Sequence, residues 1–334
     1  MRMDPLFGFA FLGIAVFIAR HISVNSAATW LLVWPALSLA LVALAFLSGS
    51  PRVFGKSANG RRSWTATLLL APYLLFARVV WEVQTRISSE PACNSVNPPL
   101  IVARWLRGTE LPHGIAAIVD LTSEMGASPA ARQHRGYLCA PLLDANGLEP
   151  VDLVRLVLRL PPEPAGPLLI HCANGHGRTG TIAAAWLIAH SDANTPEEAL
   201  LNLTAVRPAI RLRGRQRKDL TRAALLLNEL KLFGDIERQR IALILREVLT
   251  DHTPRLGTGW LFPEAELPQI HHASMVAREI HQRLNREFDT NLSGAVFAHW
   301  NIAKHTSLAS VVDSCQQLIQ QSRRHPLLAA SAFR

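Results

Sequence analysis

Cysteine is scarce in this chain: four among 334 residues, at positions 93, 139, 172 and 315. Their wide spacing excludes the closely paired thiolates of a structural zinc site. The histidines His252, His271, His272, His281, His299 and His305 lack a consistent ligand spacing with carboxylate or thiolate partners, so neither metal nor cofactor is expected. Acidic residues are outnumbered, 25 Asp and Glu against 34 Lys and Arg, for a net charge of +9. That balance suits an anionic partner. The basic run Arg207, Arg211, Arg213, Arg215, Arg217 and Lys218 has no interleaved aromatics and no nucleic-acid reading module. Nucleic acid is therefore set aside, leaving phospholipid head groups or a solvated connection as what the run faces.

Charge is absent altogether from Ala27 to Leu47, an apolar run of 21 residues that can cross a bilayer core of about 30 Å. Trp64 to Trp81 is a second apolar run, flanked by tryptophans that suit the interface, with Arg78 placed to snorkel. Pro5 to Ala19 is a third and shorter one, bounded by Arg20 and His21. A cleaved signal peptide ending near Ser26-Ala27-Ala28 is its alternative; Asp4 and the second hydrophobic run favour an anchor. Residues 1–90 thus read as a membrane region of two to three transmembrane helices, in an integral protein of a bacterial inner membrane. The loop from Ser48 to Ser63 carries Arg52, Lys56, Arg61 and Arg62 and is assigned to the cytoplasm. Three full spans put the following residues outside; if Trp64 to Trp81 only dips into the membrane, they stay inside.

The chemistry is concentrated in His171-Cys172-Ala173-Asn174-Gly175-His176-Gly177-Arg178-Thr179-Gly180. Leu168 to Ile170 reads as a short buried strand and Thr179 to Ala189 as a helix, so a glycine-rich turn sits at a helix N-terminus. Free N–H groups and the helix dipole bind an anion there and favour a thiolate, the nucleophilic form. Arg178 can grip a phosphate in bidentate fashion.

This loop resembles the Cys-x5-Arg signature of the protein tyrosine phosphatase superfamily, in the GxGRTG form of dual-specificity and lipid phosphatases. The resemblance implies an α/β fold, a central sheet flanked by helices, over residues 91–233. It implies Cys172 as nucleophile and Arg178 as phosphate ligand, with Ala173, Asn174, Gly175, His176 and Gly177 completing the phosphate cradle. Thr179 would hydrogen-bond the thiolate and ease breakdown of the phosphocysteine, and His171 would set the loop and the thiol. His176 stands where some lipid phosphatases carry a basic residue.

The superfamily takes its general acid from an aspartate on an upstream loop. Asp144, between a strand at Tyr137 to Leu142 and a helix at Val151 to Leu160, has that position; an Asx-turn before Asn146-Gly147 is its other reading. Asp120, Glu124 and Asp152 are the rivals. Asp120 ends a strand-like run from Ile115 to Val119, and Asp152 lies in the first turn of a helix, where a carboxylate complements the dipole.

Amphipathic helices are expected at Ile236 to Leu249, around Val276 to Phe288, and at Ser307 to Ile319, an all-α region over 236–325. Their order and the Glu287-Phe288-Asp289-Thr290 turn resemble acyl carrier proteins, which implies Ser274 as the place of a phosphopantetheine arm. Ala273 stands where carriers have aspartate, and Arg278, Arg283 and Arg286 replace an acidic face, so a bundle without its arm fits better. It offers a surface for a protein partner.

The expected activity is that of a membrane-anchored phosphomonoester hydrolase working on a phosphorylated lipid. The alternatives are a phosphatase of protein phosphotyrosine, or a catalytically quiet module that captures a phospholipid.

Overall fold

The computed structural model describes residues 5–23, 26–96, 99–161, 166–252, 263–265, 273–290, 292, 302 and 307–324. It divides into two compact units, Met1–Ala224 and Leu225–Arg334.

The first unit opens with α1 (Pro5–Ala19), a 3-10 turn (Ala27–Leu32) and α2 (Val33–Ser48). The two helices pack on each other through Phe7, Phe11 and Phe46, with ring centroids 5.9 and 5.6 Å apart. Their outer faces leave Leu6, Phe9, Val16, Phe17, Leu37 and Leu44 exposed. Ala27–Ser48 is the one helical stretch among the described residues that is long and apolar enough to cross a membrane. The 15 residues of α1 rise only about 22 Å, short of a bilayer core.

The apolar run from Trp64 to Trp81 is not the continuous helix expected of a span. It breaks at Leu70 into α3 (Trp64–Leu69) and α4 (Ala71–Ile87). The break goes with Pro72, which has no N–H to offer the carbonyl four residues back and whose ring crowds it, and which serves instead as an early α4 residue. One face of α4 buries Trp81, while Leu75, Phe76, Val79, Val83 and Ile87 remain exposed on another.

A five-stranded sheet follows, β1 (Cys93–Val96), β2 (Leu100–Ala103), β3 (Ala117–Thr122), β4 (Tyr137–Leu142) and β5 (Leu168–His171), in the order β1-β2-β5-β3-β4. β1 is antiparallel to β2, and the other pairs are parallel. Around it lie α5 (Pro129–Gln133), α6 (Pro150–Leu158), α7 (Gly177–His190), α8 (Pro196–Val206) and α9 (Gly214–Lys231). β5 is central and buried along its whole length, which is why Leu168 to Ile170 reads as an unbroken apolar run. Its carboxyl end delivers the Cys172 loop to the crevice where open α/β sheets bind ligands. α7 is buried from Arg178 to Ala189, and its small residues let it sit close to the sheet. α8 begins with a capping box, Thr195 accepting from Glu198 N and the Glu198 carboxylate accepting from Thr195 N.

The segment between α2 and α3 is built into this domain. Lys56 Nζ lies 2.8 Å from Asp120 Oδ2 in β3, with both side chains fully buried. The same ammonium donates to Thr122 O and Oγ1 at 2.7 and 2.8 Å, so all three of its protons are used. Tyr137 Oη also donates to Asp120 Oδ2, at 2.8 Å. Burial pushes the Asp120 carboxyl up, but the His171 imidazolium and the Lys56 ammonium outweigh it and hold it at about 2.

The second unit has α10 (Ile236–His252), α11 (Ala273–Phe288) and α12 (Leu308–Arg324), with α10 packed on both others. Ile241, Leu245, Val276, Ile280, Leu284, Val312 and Ile319 form its interior. Ser274 is exposed in the first turn of α11. His252 pairs with Glu279 at 2.7 Å and His281 bonds Leu292 O at 2.6 Å. His271, His272, His299 and His305 lie outside the described residues. Among the described residues no three His, Cys, Asp or Glu side chains converge.

Lys56→Met strands a buried carboxylate and is expected to destabilise the full chain in detergent by about 3–5 kcal/mol at neutral pH. Melting followed by tryptophan fluorescence measures it. A carboxyl held below its unfolded value stabilises above that value and loses its contribution as pH falls through the folded one. The deficit of the variant should therefore shrink as pH falls toward about 4, where the stranded carboxyl, pushed up by burial, takes a proton, and shrink further toward about pH 2 as the parent loses its own contribution. An unchanged melting point would rule the pair out as a structural tie.

Candidate active site

Cys172 follows β5 directly and is nearly buried. Gly175 has φ +75°, and a side chain there would press a Cβ to 2.6 Å from Ala103 O, so only glycine completes the turn. Its N–H points at Cys172 Sγ, 3.3 Å away. The carbonyls of the loop are tied on its outer side. Ala173 O accepts from Trp105 N and from Trp81 Nε1, both at 2.9 Å. Asn174 O and Gly175 O accept from the Arg207 guanidinium at 3.0 and 3.1 Å. A loop whose carbonyls are held outward turns its N–H groups inward, an anion-binding concavity at the start of α7.

Arg178 is 2% exposed. Its two Nη atoms grip Glu124, with Nη2 to Oε1 at 2.5 Å and Nη1 to Oε2 at 2.9 Å, and Nη1 also donates to Leu142 O at 2.9 Å. The fork expected to hold phosphate end-on is thus occupied by a carboxylate. Three of five donors are spent, and the side edge of Nε–H and the second Nη2–H is left for a ligand. Nε lies 3.4 Å from Asp144 Oδ1 and has no hydrogen-bond partner. Burial pushes the Glu124 carboxyl up, and Arg178 more than reverses that, so the pair stays ionised.

The rivals of Asp144 are thereby placed. Glu124 fixes the arginine, Asp120 is spent on Lys56, and Asp152 pairs with Arg155 on the surface of α6 at 2.7 Å. Asp144 itself is 68% exposed at the mouth of a cavity of about 240 Å³ that it lines with Cys172 and Arg178. Beside it Ala145 has φ +62°, a left-handed conformation that is strained for alanine and aims the loop.

His171 is buried; its Nε2 lies 3.9 Å from Asp120 Oδ1 and its Nδ1 3.4 Å from Cys172 O. Burial pushes its pKa down, so at neutral pH it is an uncharged link between the Lys56–Asp120 pair and the cysteine. Thr179 Oγ1 is buried and makes no hydrogen bond, so the expected bond to sulfur is not formed in this state. His176 Nε2 faces Glu90 at 2.7 Å rather than the cavity alone. The basic run divides. Arg207 is a buried tie, Arg215 and Arg217 pair with Asp219 and Glu197, and only Arg211 and Arg213 line the cavity.

Lys56, Trp81 and Gln216 were not expected at the site. Gln216 lies against Gly177, with Oε1 accepting from Arg213 N at 3.0 Å and Nε2 buried without a partner. A buried Arg, Lys or Trp has no signature in sequence when its partners lie 64 to 92 residues away, as those of Lys56 and Trp81 do.

Residues 113–224 match the family model described as PTP-SAK: Swiss Army Knife protein, DSP-PTPase phosphatase domain. The chain carries a cysteine-based phosphatase domain. It is a phosphoric monoester hydrolase. Among solved structures it is similar to Tk-PTP in its active form, at 26% identity and TM-score 0.36 over 40% of this chain and 97% of that one. A mouse dual specificity phosphatase complexed with zinc tungstate matches at 18% identity and TM-score 0.35, over 42% of this chain and 92% of that one. PTPMT1 in complex with PI(5)P matches at 14% identity and TM-score 0.36, over 41% of this chain and 97% of that one. A search of curated proteins finds no match.

Glu124→Gln should let the Arg178 guanidinium turn away from the cavity. The expected loss in kcat on p-nitrophenyl phosphate is about 100-fold, the scale of removing one preorganised electrostatic contact, with KM changed far less. An unaltered kcat would show that the phosphatase does not need this ion pair.

Proposed function

We propose that the protein is a membrane-anchored phosphatase that removes a phosphomonoester from a phospholipid head group. Phosphate would bind on the loop N–H groups and the free edge of Arg178. Cys172 Sγ attacks phosphorus, an S–P bond forms, and the ester P–O bond breaks. Asp144 gives the leaving oxygen its proton. The same carboxylate then takes a proton from water, whose oxygen attacks phosphorus; the S–P bond breaks, and phosphate and thiolate are restored. Thr179 Oγ1, unpartnered and buried, is available to donate to the departing sulfur. His171 positions the cysteine through its backbone.

The observation that carries the lipid reading is the junction between the apolar N-terminal helices and the Cys loop. Lys56 is buried against Asp120, and Trp81 of α4 donates to Ala173 O, so the residue after the reactive cysteine is hydrogen-bonded to a helix that carries an exposed apolar face. With Ala27–Ser48 as the span and α4 lying in the interface, the phosphatase domain is on the side of Arg52, Lys56, Arg61 and Arg62, the cytoplasmic side. The second unit would serve as a protein-docking bundle, Ser274 carrying no prosthetic arm because Ala273 precedes it.

The purified full chain in mixed micelles is offered phosphatidic acid, phosphatidylglycerophosphate, a phosphatidylinositol monophosphate and a phosphotyrosine peptide. Phosphate release from a lipid at the higher kcat/KM, abolished in Cys172→Ser, is expected. Faster turnover of the peptide than of every lipid would reverse the substrate assignment, and activity surviving in Cys172→Ser would refute the phosphocysteine route.

A further inference from the structure

A cleft of about 230 Å³ runs from the α1–α2 pair to the Cys loop. Its apolar end is walled by Phe11, Phe46, Tyr73, Phe76, Val80 and Met125. Its other end is Asp144, Ala173 and Asn174, which also line the catalytic cavity. One passage therefore changes character along its length, from aromatic to cationic, where Arg178, Arg211 and Arg213 gather. Arg213 itself lies over the Phe7 ring of α1 at 4.9 Å, which joins the two ends from the other side.

The walls are firmly set. Trp81 and Trp105 meet edge to face at 5.3 Å, and the Arg78 guanidinium covers both rings at 4.7 and 4.6 Å. Glu82 then bridges Arg78 and Arg107 at 2.8 and 2.6 Å. The apolar end opens beside Phe76, which is 64% exposed on the same helix as Leu75 and Val79. A contiguous apolar surface that leads into an aromatic cleft and stops at an anion site fits an amphiphile with its phosphate at one end.

We propose that this cleft is a lipid-entry subsite: it takes the glycerol and first acyl methylenes of a diacyl phosphomonoester sliding in from the bilayer past Phe76. The inference rests on the lipid reading above and adds to it the element that selects for the apolar part of the substrate. A soluble phosphate ester or a phosphopeptide reaches Cys172 through the catalytic cavity without filling the cleft.

The test takes whichever lipid of the panel is hydrolysed and prepares it with dibutanoyl, dihexanoyl and dioctanoyl chains. With the full chain in detergent, kcat/KM should rise by about tenfold or more along the series. Phe76→Ser, at an exposed position that folding tolerates, should lower the ratio of dioctanoyl lipid to p-nitrophenyl phosphate activity by about tenfold. Leu201→Ser, equally exposed on α8, should leave that ratio unchanged. A flat chain-length series and an unmoved ratio in Phe76→Ser would overturn the cleft while leaving lipid phosphatase activity standing. Hydrolysis of the phosphotyrosine peptide with none of any lipid would overturn both.

Discussion

The Lys56–Asp120 pair is the tie on which the rest of the first unit depends. A fully buried ion pair is costly to desolvate and is tolerated only when every lone pair and proton finds a partner. Here the ammonium has Asp120, Thr122 O and Thr122 Oγ1, and the carboxylate has Lys56, Thr122 and Tyr137. The pair fastens the loop after α2 beneath β3, next to His171 and hence to the cysteine. The apolar N-terminal segment and the active site are one packed object rather than a domain on a flexible leash.

The second tie works from the opposite side of the Cys loop. Trp81 and Arg207 hold loop carbonyls outward, and Glu124 fixes the arginine whose remaining donors face the cavity. Catalytic electrostatics are effective when dipoles are set before the charge develops. In this site the setting is done by buried side chains from distant parts of the chain, α4 included. The apolar run expected as a second span is thus built into the active site.

The reaction was legible in sequence because its parts are local. Cys172, Gly175, Arg178 and the start of α7 lie within one turn, and strand, loop and helix are each marked by composition. β4, α7 and α10 form where the sequence places a strand at Tyr137 to Leu142 and helices at Thr179 to Ala189 and Ile236 to Leu249. The errors share one physical origin, which is long-range pairing. Trp64 to Trp81 matches a span in hydropathy, yet Pro72 breaks it and Trp81 finds a hydrogen bond 92 residues away. Glu124 looks like a rival acid until Arg178 is seen to claim it. Arg207 belongs to a basic run in sequence but is a buried tie in space, and Lys56 carried no local signal at all.

As proposed above, this phosphatase works on a substrate in the bilayer that holds it. Surface dilution tests it most directly. The protein is reconstituted in vesicles with its lipid substrate, and inert lipid is added at constant bulk substrate concentration. The rate should fall in proportion to the mole fraction of substrate in the membrane, and substrate supplied in separate vesicles should be hydrolysed far more slowly. A rate that follows bulk concentration alone, with equal turnover from separate vesicles, would contradict the account.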